Sequence, residues 1–154
     1  MIATLRMPAL AENRRARFDY DILQTFEAGL ELAGHEVKAV RDGGLRLTDA
    51  FVTFHNGAAF LTNAHIAPYR HGGPLPNYDP DRSRRLLLHR REIHYLRLKH
   101  EEEGLTIIPL KVYTKNRFIK VEVAVARGRR TYDKRAKLKE RDMARETKRR
   151  LKEI

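Results

Sequence analysis

The chain has no cysteine, no run of about 20 apolar residues, no glycine-rich phosphate loop and no Gly-x-Ser-x-Gly elbow. Without cysteine there can be no disulfide framework, thiolate zinc site or cysteine nucleophile. Without a long apolar run no helix can span a bilayer, and no membrane partner is expected. Near the N-terminus, Ala9-Leu10-Ala11 has the small residues of a signal cleavage site. Arg6 and Pro8 interrupt any apolar stretch before it, so no export is expected. The expectation is a soluble, cytoplasmic protein with no cofactor, no metal and no catalytic site, working as a monomer.

Cationic charge, by contrast, is in excess. Among 154 residues there are 32 Lys+Arg against 20 Asp+Glu, a formal net charge of +12. Residues 127–154 hold 13 of those cations and 5 of those acids, so this short tail carries +8 of the total. A basic balance so distributed points to a polyanionic partner. The clusters that would meet it are Arg14, Arg15 and Arg17, then Arg82, Arg84 and Arg85, and then Arg129 and Arg130 with Tyr132, Lys134 and Arg135. Arginine forks onto phosphate and aromatic rings stack on unpaired bases, a mixture suited to RNA.

Periodicity predicts a body that is mainly β with short helices, a small barrel like the oligonucleotide-binding (OB) fold. Phe18, Tyr20, Ile22, Phe26, Ala28, Leu30 and Leu32 fall on even positions, between Asp19, Asp21, Thr25, Glu27 and Glu31, which predicts a long strand. Ala33, Val37 and Val40 predict a short helix stopped by Gly43-Gly44. Strands over 45–54 and 58–66 should flank the turn dipeptide Asn56-Gly57. Residues 68–85, rich in Gly and Pro, should form an exposed loop, and 86–103 a helix bearing Leu86, Ile93, Leu96 and His100 on one face. A last strand pair is expected over 105–113 and 118–126, the second with Ile119, Val121, Val123 and Val125 facing in. Five strands in so short a chain suggest a closed or nearly closed barrel. The domain plan is then a flexible segment 1–11, a barrel 12–126 and a basic tail 127–154. That tail lacks an apolar stripe and should be disordered when free.

Two chemical readings compete with RNA binding. His89, His94 and His100 are spaced by five and six residues, which does not converge on one metal ion as i, i+4 spacing would. Asp19, Asp21, Glu27 and Glu31 share one face of the expected strand and could support metal-dependent phosphodiester cleavage, although such carboxylates more often only solvate a strand.

Several segments together carry a resemblance. Asn13-Arg14-Arg15-Ala16-Arg17, Phe26-Glu27-Ala28-Gly29-Leu30, Glu36-Val37-Lys38, Asp79-Pro80, Arg85-Leu86-Leu87-Leu88 and Ala126-Arg127-Gly128-Arg129-Arg130 followed by Asp133-Lys134-Arg135 resemble the SmpB family of bacterial tmRNA-binding proteins. The resemblance runs from Glu12 to the C-terminus. It implies an OB-like barrel that binds the tRNA-like domain of tmRNA and supports its delivery to stalled ribosomes. The tail would act in the small-subunit decoding region and mRNA channel, so that the nascent peptide is tagged. It also implies RNA contacts at Asn13, Tyr20, Glu27 and Leu87, and tail roles for Gly128, Asp133, Lys134 and Arg135, with Tyr132 at a position where a ring is common. Phe18 departs from the histidine that many relatives carry. The alternatives left open are a general RNA-binding barrel, such as a ribosome-assembly factor or RNA chaperone, and the nuclease.

Overall fold

The computed structural model describes residues 8–129 and 131–152, and side-chain surroundings for all of these except 131–133. In chain order the elements are β1 (Ala9–Glu12), α1 (Ala16–Asp19), β2 (Tyr20–Leu30), α2 (Gly34–Arg41), β3 (Leu45–Arg46), β4 (Phe51–His55) and β5 (Ala58–Thr62). They continue with β6 (His65–Ile66), β7 (Arg84–Leu87), α3 (Arg90–Glu101), β8 (Leu105–Lys115), β9 (Phe118–Gly128) and α4 (Thr131–Lys152). Seven strands form one antiparallel sheet in the order β1-β8-β9-β2-β7-β5-β4, and β3 pairs only with β6. The sheet curls until β4 lies against β8, yet among the described residues no ladder joins its two edges. The body is an open barrel.

The hairpin at Asn56-Gly57 forms as expected, with φ of 51° and 75° at the two turn residues. Only residues that tolerate positive φ turn two strands so tightly. Inside the barrel, Val52, Leu61, Leu86, Leu96, Ile107, Val112, Val121, Val123 and Val125 make one core. Each such side chain contributes about 1.5–3 kcal/mol by leaving water. Helix α2 adds Ala39 and Val40 to the core and ends at Gly43, whose φ of 86° suits a residue without Cβ.

Several expectations are corrected. The strands expected over 45–54 and 58–66 each break, because Asn63 at φ 64° and the bends before Ala50 divert the chain into the small β3–β6 pair. Leu86 is not helical. Residues 84–87 form β7, inserted between β2 and β5 with Arg84 and Leu86 facing in, and α3 starts only at Arg90. Its first turn is held by Glu92, whose carboxylate accepts the His89 N–H at 3.1 Å. Among the described residues nine strands replace the expected five. At the N-terminus, 9–11 pair with β8 rather than hanging free, and at the other end β9 runs on to Gly128.

The largest correction concerns the tail, which is a continuous helix over Thr131–Lys152 rather than a disordered segment. Its root rests on the body. Lys137 Nζ donates to the Arg17 carbonyl at 3.0 Å and Lys134 Nζ lies 3.3 Å from Asp19 Oδ1. These contacts fix the first turns, so the remainder needs only propagation, which is far less costly than nucleation.

A candidate nucleic-acid interface

The outer face of the sheet gathers most of the implied contact residues, and a bulge in β2 makes this possible. Against β9, Tyr20, Asp21 and Ile22 pair with Gly128, Arg127 and Ala126, but Gln24 pairs with Val125, so Leu23 is the extra residue. One inserted residue reverses which side chains point inward. Phe26, Ala28 and Leu30 therefore face the core, whereas Tyr20 and Ile22 share the outer face with Thr25, Glu27 and Gly29. The single alternation expected from Phe18 to Leu32 does not hold. Tyr20 and Ile22 pack instead on a small cluster of Ala16, Ile108, Leu110, Ala124 and Ala126 beneath α1.

Beyond that cluster the outer face turns polar. Lys111, Glu122 and Glu27 stand in register across β8, β9 and β2, and Tyr113, Lys120, Gly29 and Leu87 form the next row across β8, β9, β2 and β7. Gly29 makes room for Leu87, since a Cβ on Gly29 would lie 3.1 Å from the Leu87 Cβ. Leu87 lies over that gap with 54% of its surface exposed, and Phe118, at the end of the same face, is 67% exposed. Lys120 sits over the Phe118 ring at 5.9 Å and Lys111 over Tyr113 at 5.6 Å. The exposed Phe118 ring beside lysines makes a stacking surface within a field that attracts phosphate. Phe118, Lys120, Tyr113, Lys111 and Lys115 were not singled out from the sequence. Only the placement of Phe118 and Lys120 just after the turn of a hairpin could have signalled them.

Glu27 lies within this cationic surface, directly across from Glu122. Its carboxylate accepts the Tyr113 hydroxyl and lies 3.3 Å from Lys115 Nζ. The Tyr113 hydrogen bond, partly opposed by burial and helped by Lys115, lowers its pKa below the usual carboxylate range. The Tyr113 hydroxyl is pushed up by burial and by the charge it faces. Glu27 is thus ionised and oriented, with acceptor capacity to spare toward solvent.

Asn13 is fixed at the end of β1, its N–H on the Leu110 carbonyl at 2.8 Å and its Nδ2 on the Pro109 carbonyl at 3.2 Å. It opens onto a cleft of about 390 Å³ with Arg14, Arg17, Lys111 and Glu122, which joins the N-terminal arginines to the sheet face. Arg15 is exposed, loosely paired with Asp19 at 3.8 Å. Arg85 is exposed on β7, on the same side as Leu87.

Arg84 does not belong to the interface. It is fully buried, as is Glu36, and its Nε and Nη2 donate to Glu36 Oε2 at 2.9 and 2.6 Å while Nη1 donates to the Ala64 carbonyl at 2.7 Å. Arg82 and the Tyr78 hydroxyl complete the shell around the same carboxylate. Burial alone would raise the Glu36 pKa. Arg82, the Ala33 N–H and Arg84 overcome it and hold the group down to about 2. A guanidinium so enclosed cannot reach a phosphate.

The acidic residues offered for metal chemistry are dispersed. Asp19 faces Lys134, Asp21 holds Arg129 Nε at 2.9 Å, and Glu27 faces Tyr113. Among the described residues no three potential ligands gather, and the His100 ring packs on Phe54. Of the tail residues, Gly128 is the last ladder partner of Tyr20, Arg129 is largely buried against Asp21, and Arg135 is exposed. Arg130 and the side chains of Tyr132 and Asp133 lie outside the described residues. No described helix is long and apolar enough to cross a membrane.

An open β-barrel whose outer face interleaves lysines, an exposed aromatic ring and an oriented carboxylate, continued by a basic helix, is the architecture of an RNA-binding protein. The family described as "SmpB protein" matches residues 10–153, and the chain belongs to that family. It is 54% identical over 143 residues to an SsrA-binding protein of Leuconostoc mesenteroides, covering 93% of this chain and 92% of that one. An SsrA-binding protein of Thermosipho africanus is 51% identical over 140 residues, covering 90% and 93%. A chain of the solved structure described as "tmRNA-SmpB: a journey to the center of the bacterial ribosome" is 48% identical with a TM-score of 0.66, covering 78% of this chain and 84% of that one.

Proposed function

We propose that this protein is a non-catalytic adaptor of trans-translation. Its barrel binds the tRNA-like domain of tmRNA, and its tail engages the decoding region and mRNA channel of a stalled small subunit, so that the nascent peptide is tagged. It works in the cytoplasm as a monomer. The observation that carries the assignment, beside family membership, is that the bulge at Leu23 places Tyr20 and Glu27 on one face with Leu87 and the lysines.

The roles follow from chemistry. Lys111, Lys115, Lys120, Arg14, Arg15, Arg17 and Arg85 meet phosphates. Phe118 and Leu87 pack on bases or sugars, and Tyr20 and Asn13 line the adjoining clefts. Glu27 accepts hydrogen bonds from base or ribose donors, which an anion can do only if its charge is balanced nearby, as Lys115 balances it. The barrel, 9–128, supplies RNA affinity and the tail beyond it supplies the ribosomal step. Affinity capture of the full chain from a bacterial lysate, followed by RNA sequencing, tests this: one intact tRNA-like RNA should dominate. Recovery of many unrelated RNAs would replace the assignment with a general RNA-binding barrel.

A further inference from the structure

Helix α3 covers the side of the body opposite to the sheet-face interface. Its Leu96 is fully buried and Ile93 packs against the core that also holds Val121, Val123 and Val125, whereas Lys111 and Lys120 stand on the outer side of the same strands. The solvent side of α3 therefore stays open when RNA occupies the outer face. Arg91, Tyr95 and Leu98 recur there at i, i+4 and i+7 as one stripe of the helix, with Arg90 and Arg97 along one flank. Tyr95 and Leu98, three residues apart, are 37% and 50% exposed. Tyr95 is nevertheless fixed. Its hydroxyl donates to Gln24 Oε1 at 2.7 Å, its ring lies 5.8 Å from Phe26, and Lys99 Nζ sits 5.6 Å from the ring centre. Among the described residues Arg90 and Arg91 have no carboxylate partner, and Arg97 has only a loose one, Glu101 at 3.7 Å.

Tyrosine and arginine are the side chains that dominate the energetic centres of protein interfaces, and a ring already held in place loses little entropy on binding. The complement of this stripe is an amphipathic helix with an apolar seam and carboxylates beside it. A second copy of the chain is disfavoured, because it carries +12 and would set the same arginines against these. RNA fits poorly as well, since Phe26 and Lys99 already lie against the Tyr95 ring and Leu98 offers no ring on which a base could stack. We infer that the solvent face of α3 docks an acidic amphipathic helix of a partner protein, its apolar seam on Tyr95 and Leu98 and its carboxylates on Arg90, Arg91 and Arg97. The site goes beyond the RNA-binding reading and shares no residue with the sheet-face interface, so RNA and partner are held at the same time.

The test uses the full chain and a fluorescent three-heptad peptide with leucine at a and d, glutamate at e and g and alanine elsewhere, followed by anisotropy. One control peptide replaces its glutamates by lysine, and another replaces its leucines by serine. Wild-type protein, with and without saturating tRNA-like domain of tmRNA, should bind the acidic leucine peptide and neither control. Leu98→Ser, which changes no charge, should weaken that binding about tenfold and leave affinity for the tRNA-like domain unchanged. The paired Arg90→Ala, Arg91→Ala change should weaken peptide binding by a similar factor, and Phe118→Ala should not alter it. Circular dichroism checks the fold of each variant. Amide shifts of the wild-type protein on adding the peptide, concentrated in α3, give the same answer without any substitution. No binding of the acidic leucine peptide, equal binding by wild type and Leu98→Ser, or displacement of the peptide by the tRNA-like domain would each overturn the inference. So would shifts confined to the sheet face or α4, and self-association lost in Leu98→Ser would give the face to a second copy instead.

Discussion

Tyr20 and Glu27 point to the same side of β2, although an uninterrupted strand would send an even and an odd position to opposite faces. The bulge at Leu23 reconciles them. Deleting Leu23 should restore strict alternation and turn Tyr20 and Ile22 into the core or Glu27 away from Tyr113. The expected result is a destabilised barrel, several degrees lower in Tm, with specific RNA binding lost. Leu23→Ala, which keeps the bulge and removes only an exposed side chain, should leave both unchanged.

Glu27→Gln makes the protein more positive, so simple phosphate attraction predicts equal or tighter binding of tmRNA. The oriented carboxylate predicts the reverse. Filter binding at fixed salt should show weaker affinity for Glu27→Gln, and Tyr113→Phe should lose part of the same affinity because the carboxylate is no longer steered. The Glu27 pKa is lowered in the folded protein, so its contribution is present above the ordinary carboxylate range and fades as pH falls through it.

Lys120→Ala and Phe118→Ala separate charge from stacking on one face. Loss of a phosphate contact at Lys120 should reduce the magnitude of the slope of log K against log salt by roughly 1. Removing the Phe118 ring should cost about 1–3 kcal/mol without changing that slope. A salt titration of RNA affinity distinguishes them.

Glu36→Gln leaves Arg84 buried with half its partner gone, and breaking such a pair costs about 3–5 kcal/mol. Urea denaturation should show this as a lower midpoint. Because the folded pKa is about 2 against 4.5 for the free side chain, the wild-type group contributes stability on the order of 3 kcal/mol above pH ~4.5. That stability is lost as pH falls toward 2, and the Gln variant should lack this part of the acid transition.

Among the described residues the tail helix meets the body through one surface ion pair and one backbone acceptor, each contributing about 1 kcal/mol or less. Removing 131–154 should therefore leave the barrel folded and tmRNA affinity within about tenfold, yet abolish tagging on stalled ribosomes. Asp19→Asn should speed amide exchange in the first turns of α4 and leave β2 and β9 protected.

What the sequence determined by itself was local. Asn56-Gly57 turned where positive φ is tolerated, Gly43 stopped α2, and alternating valines in β9 marked a strand with one buried face, because each of these rests on a few neighbouring residues. The basic tail and the motif residues of the family were equally legible. Tertiary structure decided the rest. Arg84 looked like an RNA ligand beside Arg85, and only Glu36, brought from 48 positions away, made it a buried ion pair. Arg84-Arg85-Leu86-Leu87 looked like the end of a loop and the start of a helix until β2 and β5 supplied a partner on each side. The tail lacked an apolar stripe of its own, and its helix is seeded by contacts on α1. In each case the deciding energy came from a partner distant in the chain, and periodicity carries no record of such partners.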